Sequence, residues 1–191
     1  MPKDQPVDLN VTASEVVFEG RIWDVVRETF DYGDTGLVRE FVAHPGAVAV
    51  LAVDESERVL LIRQYRHPVR SYLWEIPAGL LDQAGESLEA AARRELLEET
   101  GYVAKKLELL SSFMTTPGGN SEVITVFLAS DLEHVGHEFE LEGEERDLLV
   151  EWVPLNEALS SVLKSEMRSP SAVVGIMAAA FKLGIKPNAE A

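Results

Sequence analysis

Three observations predict a mixed α/β fold: β-type runs open the chain, a well-capped helix lies near its middle, and strand signals then give way to two further helices. Residues 15–42 read as β-structure, because two runs rich in Val, Phe, Trp and Thr flank Tyr32-Gly33-Asp34-Thr35-Gly36. Glycine supplies the positive φ that such hairpin loops need. Ala47 to Val53 is almost entirely apolar, as a strand buried on both faces would be. Asp54-Glu55-Ser56-Glu57 makes a polar turn, and Val59 to Tyr65 returns as a strand. Leu88 to Thr100 is the best-defined helix. Ser87 can cap its N-terminus, Glu86 and Glu89 suit the positive end of its dipole, and Gly101 suits the residue just past its end. Strands are expected at 107–114, 122–129 and 148–153, and helices near 155–166 and 170–183. The second of these helices begins at Ser169-Pro170 and stops at Gly184. The tail Ile185 to Ala191 is expected to fray. His44-Pro45-Gly46 reads as a joint between a small N-terminal β-unit, 1–45, and a main domain, 46–191.

Composition narrows the function. The 191 residues carry 33 acidic and 17 basic side chains, a net charge of −16, with 46% hydrophobic and 26% charged residues. Such a surface repels nucleic acid and anionic membrane, so neither is expected as a partner. The chain has no cysteine, which excludes disulfides, a thiolate nucleophile and cysteine-ligated zinc. The first 20 residues lack the charged and apolar blocks of a signal peptide, and no apolar run approaches the length of a membrane span. A soluble, cytoplasmic protein is expected.

On the 88–100 helix the acids fall in an unusual place. At about 100° per residue, with Glu95 at zero, Glu99 falls at about 40° and Glu98 at about 300°. Leu88, Ala91 and Ala92 share that side, at about 20°, 320° and 60°. The three carboxylates therefore continue the apolar stripe, whereas a solvated face would set its acids opposite. Burying three like charges together is costly unless a cation neutralises them. A surface Arg94–Glu98 pair is the plainer reading of such a helix, and placement on the stripe weakens it. Oxygen ligands without sulfur or histidine point to Mg²⁺, with Mn²⁺ as the alternative, rather than to zinc.

The run from Gly79 to Glu86, followed by Arg94-Glu95-Leu96-Leu97-Glu98-Glu99-Thr100-Gly101, closely resembles the Nudix box. Two positions depart from that pattern. Six residues separate Gly79 from Glu86 where five are usual, and Tyr102 stands where a small aliphatic residue is usual. The resemblance implies a Nudix α/β/α sandwich with a mixed sheet. It also implies metal binding by Glu95 and Glu99, with Glu98 as an additional or water-mediated ligand. The backbone carbonyl of Ala78 and a water-mediated Glu86 are further ligand candidates, and Arg94 would orient the carboxylates. Divalent ions would neutralise a diphosphate, position water and stabilise the displacement.

Arg63-Gln64-Tyr65-Arg66 and Leu73-Trp74-Glu75-Ile76-Pro77-Ala78-Gly79 resemble the approach to the box in ADP-ribose pyrophosphatases of actinobacterial type, and Pro117 stands sixteen residues after Gly101, as in that subgroup. The resemblance implies Mg²⁺-dependent hydrolysis of ADP-ribose to AMP and ribose 5-phosphate by a homodimer. In it, the antiparallel β-unit of residues 1–45 would be swapped between subunits and help build the adenine pocket. The alternatives are a diphosphatase for another nucleoside diphosphate sugar and a non-catalytic ADP-ribose sensor. Trp23 is the candidate for stacking on adenine, although an aromatic on an alternating strand is more often core. Trp74 and Trp152 read as packing residues. Arg63, Arg66 and Arg70 form the densest basic cluster; Arg63 and Arg66 are candidates for the diphosphate, against simple pairing with acids such as Glu75. Three glutamates are candidates for the general base. Glu145 is preferred and Glu144 next, both in an acidic stretch that resembles a catalytic loop of the subgroup. Glu122 ends the Gly118-Gly119-Asn120-Ser121 loop.

Overall fold

A computed structural model describes residues 1–136 and 148–188. Its contacts divide the chain into two compact units: Met1–Pro45 with Met114–Glu122, and Gly46–Phe113 with Val123–Ala191.

The first unit is a three-stranded antiparallel sheet of β1 (Val11–Phe18), β2 (Asp24–Tyr32) and β3 (Thr35–Ala43), in that order. Tyr32 pairs with Thr35, leaving Gly33-Asp34 as a two-residue turn with Gly33 at φ +60°. The sequence reading placed two β-runs here, whereas the structure has three strands. The break falls at Gly20, whose N–H donates to Asp24 Oδ1 at 3.1 Å. A side chain at Gly20 would collide with the Trp23 carbonyl, so this turn depends on glycine rather than on a polar stretch. The 114–122 segment joins the sheet edge, with Val42 N–H donating to the Gly119 carbonyl and Ser121 N–H to that of Val42.

The second unit is built around β4 (Ala47–Ala52), buried along its whole length. A four-stranded mixed sheet runs β7 (Ala78–Leu80), β4, β9 (Val123–His134), β8 (Tyr102–Met114); β4 is antiparallel to β7 and parallel to β9. A second, antiparallel sheet runs β10 (Leu149–Pro154), β5 (Arg58–Arg66), β6 (Ser71–Glu75). The helices are α1 (Leu88–Thr100), α2 (Leu155–Leu163) and α3 (Pro170–Leu183).

Alternation along β4 distributes its side chains between two cores. Ala49 and Leu51, with Val53 just past the strand's end, pack with Leu155, Leu159, Ala172 and Ile176 of α2 and α3. Val48, Val50 and Ala52 pack with Ala91, Ala92 and Leu96 of α1. The mixed sheet is thus covered by helices on both faces, as the α/β/α expectation required. Each fully buried Leu or Val contributes roughly 1.5–3 kcal/mol, and Leu51→Ala would cost about 2–5 kcal/mol. Gly175 lets α3 lie close to the sheet, since a Cβ there would stand 3.2 Å from Ile76 Cδ1.

Several expected boundaries shift. β6 and β7 fall where no strand is expected from the sequence, and β8 begins at Tyr102 rather than 107. α2 ends at Leu163, before 166. Residues 185–188 dock rather than fray: Ile185 packs on the α2–α3 core and Asn188 N–H donates to Ser160 Oγ at 3.0 Å. Among the described residues no helix is long and apolar enough to cross a membrane.

Candidate active site

α1 starts and stops as its sequence dictates. Ser87 Oγ accepts from Ala90 N–H at 3.2 Å, and Gly101, at φ +71°, donates its N–H to the Leu97 carbonyl. The buried arc is Ala91, Ala92, Leu96, Glu99 and Thr100, whereas Leu88 is exposed. The expected stripe is therefore rotated toward Leu96, which packs into the α1 core while Leu88 projects from the first turn. This rotation grades the three carboxylates. Glu99 lies within the buried arc, Glu95 at its edge with 13% of its side chain exposed, and Glu98 beyond it with 35%.

Strand β7 sits against this edge. Ala78 N–H donates to Glu99 Oε2 at 2.9 Å, and a Cβ on Gly79 would collide with the Glu95 carboxylate. Arg94 gathers the other acids. Its Nε and one terminal nitrogen hold the two oxygens of Glu86 at 3.1 and 3.0 Å, and its other terminal nitrogen reaches Glu95 at 2.6 Å and Glu98 at 2.9 Å. The Glu86 carboxylate holds the Arg94 guanidinium well above its usual pKa, and the Arg94 hydrogen bonds hold Glu86 below the ordinary glutamate value. Glu95 moves the other way. Burial raises it, Arg94 opposes the rise, and the nearby charges of Glu98 and Asp82 reinforce it.

The donor set suits a hard divalent cation: four carboxylates, the Ala78 backbone, and a cradle at Gly79 that any side chain would fill. Among the described residues no three acidic or imidazole side chains already converge on one point, because Arg94 occupies the middle of the cluster. Glu95, ionised at a cost and bordering that cradle, is the group a bound cation would relieve.

The remaining candidates fall in separate places. Arg66 clasps Glu75 in a two-point pair, Nε to Oε1 at 3.1 Å and a terminal nitrogen to Oε2 at 2.8 Å, so the plainer expectation for it is met. Arg63 stacks on Tyr72 and Trp74, with its guanidinium carbon 5.2 and 5.7 Å from the ring centres and its Nε buried without a hydrogen-bond partner among the described residues. Trp74 and Trp152 pack against the two cores. In the N-terminal unit, Trp23 stacks on His44, and Glu122 lies 3.2 Å from His44 Nε2 and accepts from Thr115 Oγ1 at 2.6 Å. Pro117 is exposed in the turn where Gly119 N–H bonds the Thr116 carbonyl. Glu144 and Glu145 lie outside the described residues. Sequence reasoning missed the supporting roles of His44, Thr115 and Gly79. His44 and Glu122 are too distant in sequence for any spacing to relate them, while Gly79 carried a signal as a fixed glycine of the box.

Comparisons with known proteins bear on the family and the fold. The NUDIX domain profile matches residues 43–173. An ADP-ribose pyrophosphatase of Mycobacterium tuberculosis is 39% identical over 172 residues, 90% of this chain and 83% of that protein. An ADP-ribose pyrophosphatase of Bacillus subtilis is 41% identical over 156 residues, 81% of this chain and 83% of its own length. A crystal structure described as an ADP compounds hydrolase superposes with a TM-score of 0.72 at 23% identity. It covers 96% of this chain and 100% of its own, and it bears on the fold alone.

Proposed function

The chain belongs to the NUDIX domain family, and from that premise we propose that it hydrolyses the diphosphate of ADP-ribose to AMP and ribose 5-phosphate. Family members generally use divalent metal ions; Mg²⁺ is the ion proposed here, with Mn²⁺ able to replace it. The observation that carries the reading is the graded carboxylate face of α1 seated against the backbone of Ala78 and Gly79. The names of the two relatives support ADP-ribose over other nucleoside diphosphates.

Glu95 and Glu99 are assigned as the principal ligands, with Glu98, the Ala78 carbonyl and a water-linked Glu86 completing the set. Arg94 orients them, since its guanidinium already binds three of the four acids. The bound cation would neutralise the diphosphate and lower the pKa of water. Glu145 is assigned as the base that takes the proton from that water, with Glu144 and Glu122 as alternates. The water oxygen attacks one phosphorus and the bridging P–O bond breaks, so each product leaves as a monophosphate. Arg63 and Arg66 are assigned to the diphosphate oxygens, Arg66 offering a guanidinium whose plane Glu75 has already fixed. Pro117 is assigned to the substrate side of the 114–122 turn. Residues 1–45 are assigned to dimer formation and the adenine pocket, with Trp23 as the stacking plane.

The test is a substrate panel of ADP-ribose, ADP-glucose, GDP-mannose and NADH, compared by kcat/KM in Mg²⁺ with product identification. ADP-ribose should lead by at least tenfold and give AMP. Another leading substrate overturns the substrate assignment, and tight binding without product in Mg²⁺ overturns catalysis.

A further inference from the structure

We propose that His44 is a positioning residue that holds the Trp23 indole as the stacking plane for the substrate's base and anchors that plane to the 114–122 segment through Glu122. The proposal rests on the assignment of Trp23 made above and adds the residue that makes Trp23 rigid. The two rings lie 4.2 Å apart with their planes 21° from parallel, a stack rather than an edge contact. Only 6% of the His44 side chain is exposed, whereas Trp23 remains half-buried. One ring is therefore the support and the other the presented surface.

Support of this kind needs the imidazole itself to be fixed, and its contact to a held carboxylate fixes it, with the His44 backbone tied down beside it. Nε2 lies 3.2 Å from Glu122 Oε1, and a carboxylate partner requires the proton on that nitrogen. Glu122 is itself held, by the Thr115 hydroxyl on Oε2 and by its own N–H donating to Asn120 Oδ1 at 2.8 Å. The His44 backbone N–H donates to Ser121 Oγ at 2.9 Å. Turning the imidazole would break the Glu122 contact, so the indole packed on it keeps one orientation. A plane fixed before binding spares the substrate the entropy of ordering it, and the benefit falls on KM rather than on the bond-breaking step. An aliphatic side chain would fill the volume but leave the indole free to tilt.

The test measures KM and kcat for ADP-ribose in His44→Ala, His44→Phe, Trp23→Ala and the His44→Ala/Trp23→Ala double variant, with melting temperature as a check on folding. His44→Ala should raise KM about three- to tenfold with kcat within twofold. His44→Phe keeps a stacked ring but loses the contact to Glu122, and should recover only part of that loss; full recovery would overturn the anchoring through Glu122. In the Trp23→Ala background His44→Ala should change KM no further, because it acts through the indole. An undiminished His44→Ala effect in that background, or equal falls in kcat and stability, overturns the proposal while leaving Trp23 as the platform. Unchanged KM in Trp23→Ala overturns the assignment of Trp23 and this proposal with it.

Discussion

Gly79 of β7 faces Glu95 of α1 so closely that any Cβ at residue 79 would collide with the carboxylate. The strand and helix can approach this way only because that position has no side chain. Gly79→Ala should therefore displace Glu95 or push β7 away from Ala78's hydrogen bond to Glu99. Overpacking of this kind costs about 1–3 kcal/mol, and a displacement of about 1 Å near the chemistry can cost about 100-fold in rate. The expected outcome is a folded protein with kcat/KM down by about two orders of magnitude. Kinetics beside a thermal melt checks it, and near-normal turnover would show that Glu95 need not sit there.

Glu95→Gln and Glu99→Gln should each lower turnover at least about 100-fold while the fold survives. For Glu95 the sign of the stability change follows from its raised pKa. A carboxyl raised above its unfolded value of about 4.3 contributes most below that pH and loses the contribution as pH rises through the folded value. Without metal, the melting temperature of Glu95→Gln should thus gain on the parent as pH rises above the ordinary carboxylate range. Adding Mg²⁺ should reverse the order, since an ion at 100 times its dissociation constant stabilises the parent by about 2.7 kcal/mol and the variant far less. Parallel pH profiles for the two proteins would contradict the burial argument.

How much of this was legible in the sequence depends on the range of the interaction. The caps of α1, the apolar β4 and the start and stop of α3 are local, and the residues Ser87, Gly101, Pro170 and Gly184 announce them. The rotation of the buried arc toward Leu96 was not legible, because which apolar residues are covered depends on Leu60 and Phe127 from distant strands. Arg66 carries two readings in the sequence, and only the folded β5–β6 pair decides what it touches: its guanidinium reaches Glu75, whose backbone is paired with Ile62. The β1–β2 break hid behind Phe18, Ile22 and Trp23, whose apolar character continued the β-signal through a turn that depends on one glycine. Nothing in the sequence joins Trp23 to Glu122 through His44; only the fold brings the three together.

Arg94→Lys tests the orienting role of the guanidinium. Arg94 holds both oxygens of Glu86 while a third nitrogen reaches Glu95 and Glu98. An ammonium keeps the charge but cannot serve four oxygens in that fixed fork. Loss of such an orienting partner typically costs about 10–100-fold in metal affinity or activity. The variant should need more Mg²⁺ for half-maximal rate, and its residual rate should rise with added metal. A Mg²⁺ requirement equal to that of the parent would reduce Arg94 to a surface ion pair.

The N-terminal sheet leads to the last expectation, which concerns association. Every residue of β1 is exposed, and Val16, Phe18 and Ile22 are 55%, 63% and 69% accessible. Val38 on β3 adds to them at 50%. Apolar side chains gathered on one small sheet mark an interaction surface more often than a solvated one. A second copy of the chain is the proposed cover, and burying three such side chains would contribute several kcal/mol, at roughly 1.5–3 kcal/mol each. The protein should therefore run in solution at twice its 21.1 kDa chain mass. Phe18→Asp with Val16→Asp would place two charges in that contact and should yield a monomer with a melting temperature independent of protein concentration. The same monomer should lose affinity for ADP-ribose if residues 1–45 complete the adenine pocket only when paired. A parent protein that is already monomeric at micromolar concentration would remove the dimer, and with it the assignment of this unit to a shared pocket.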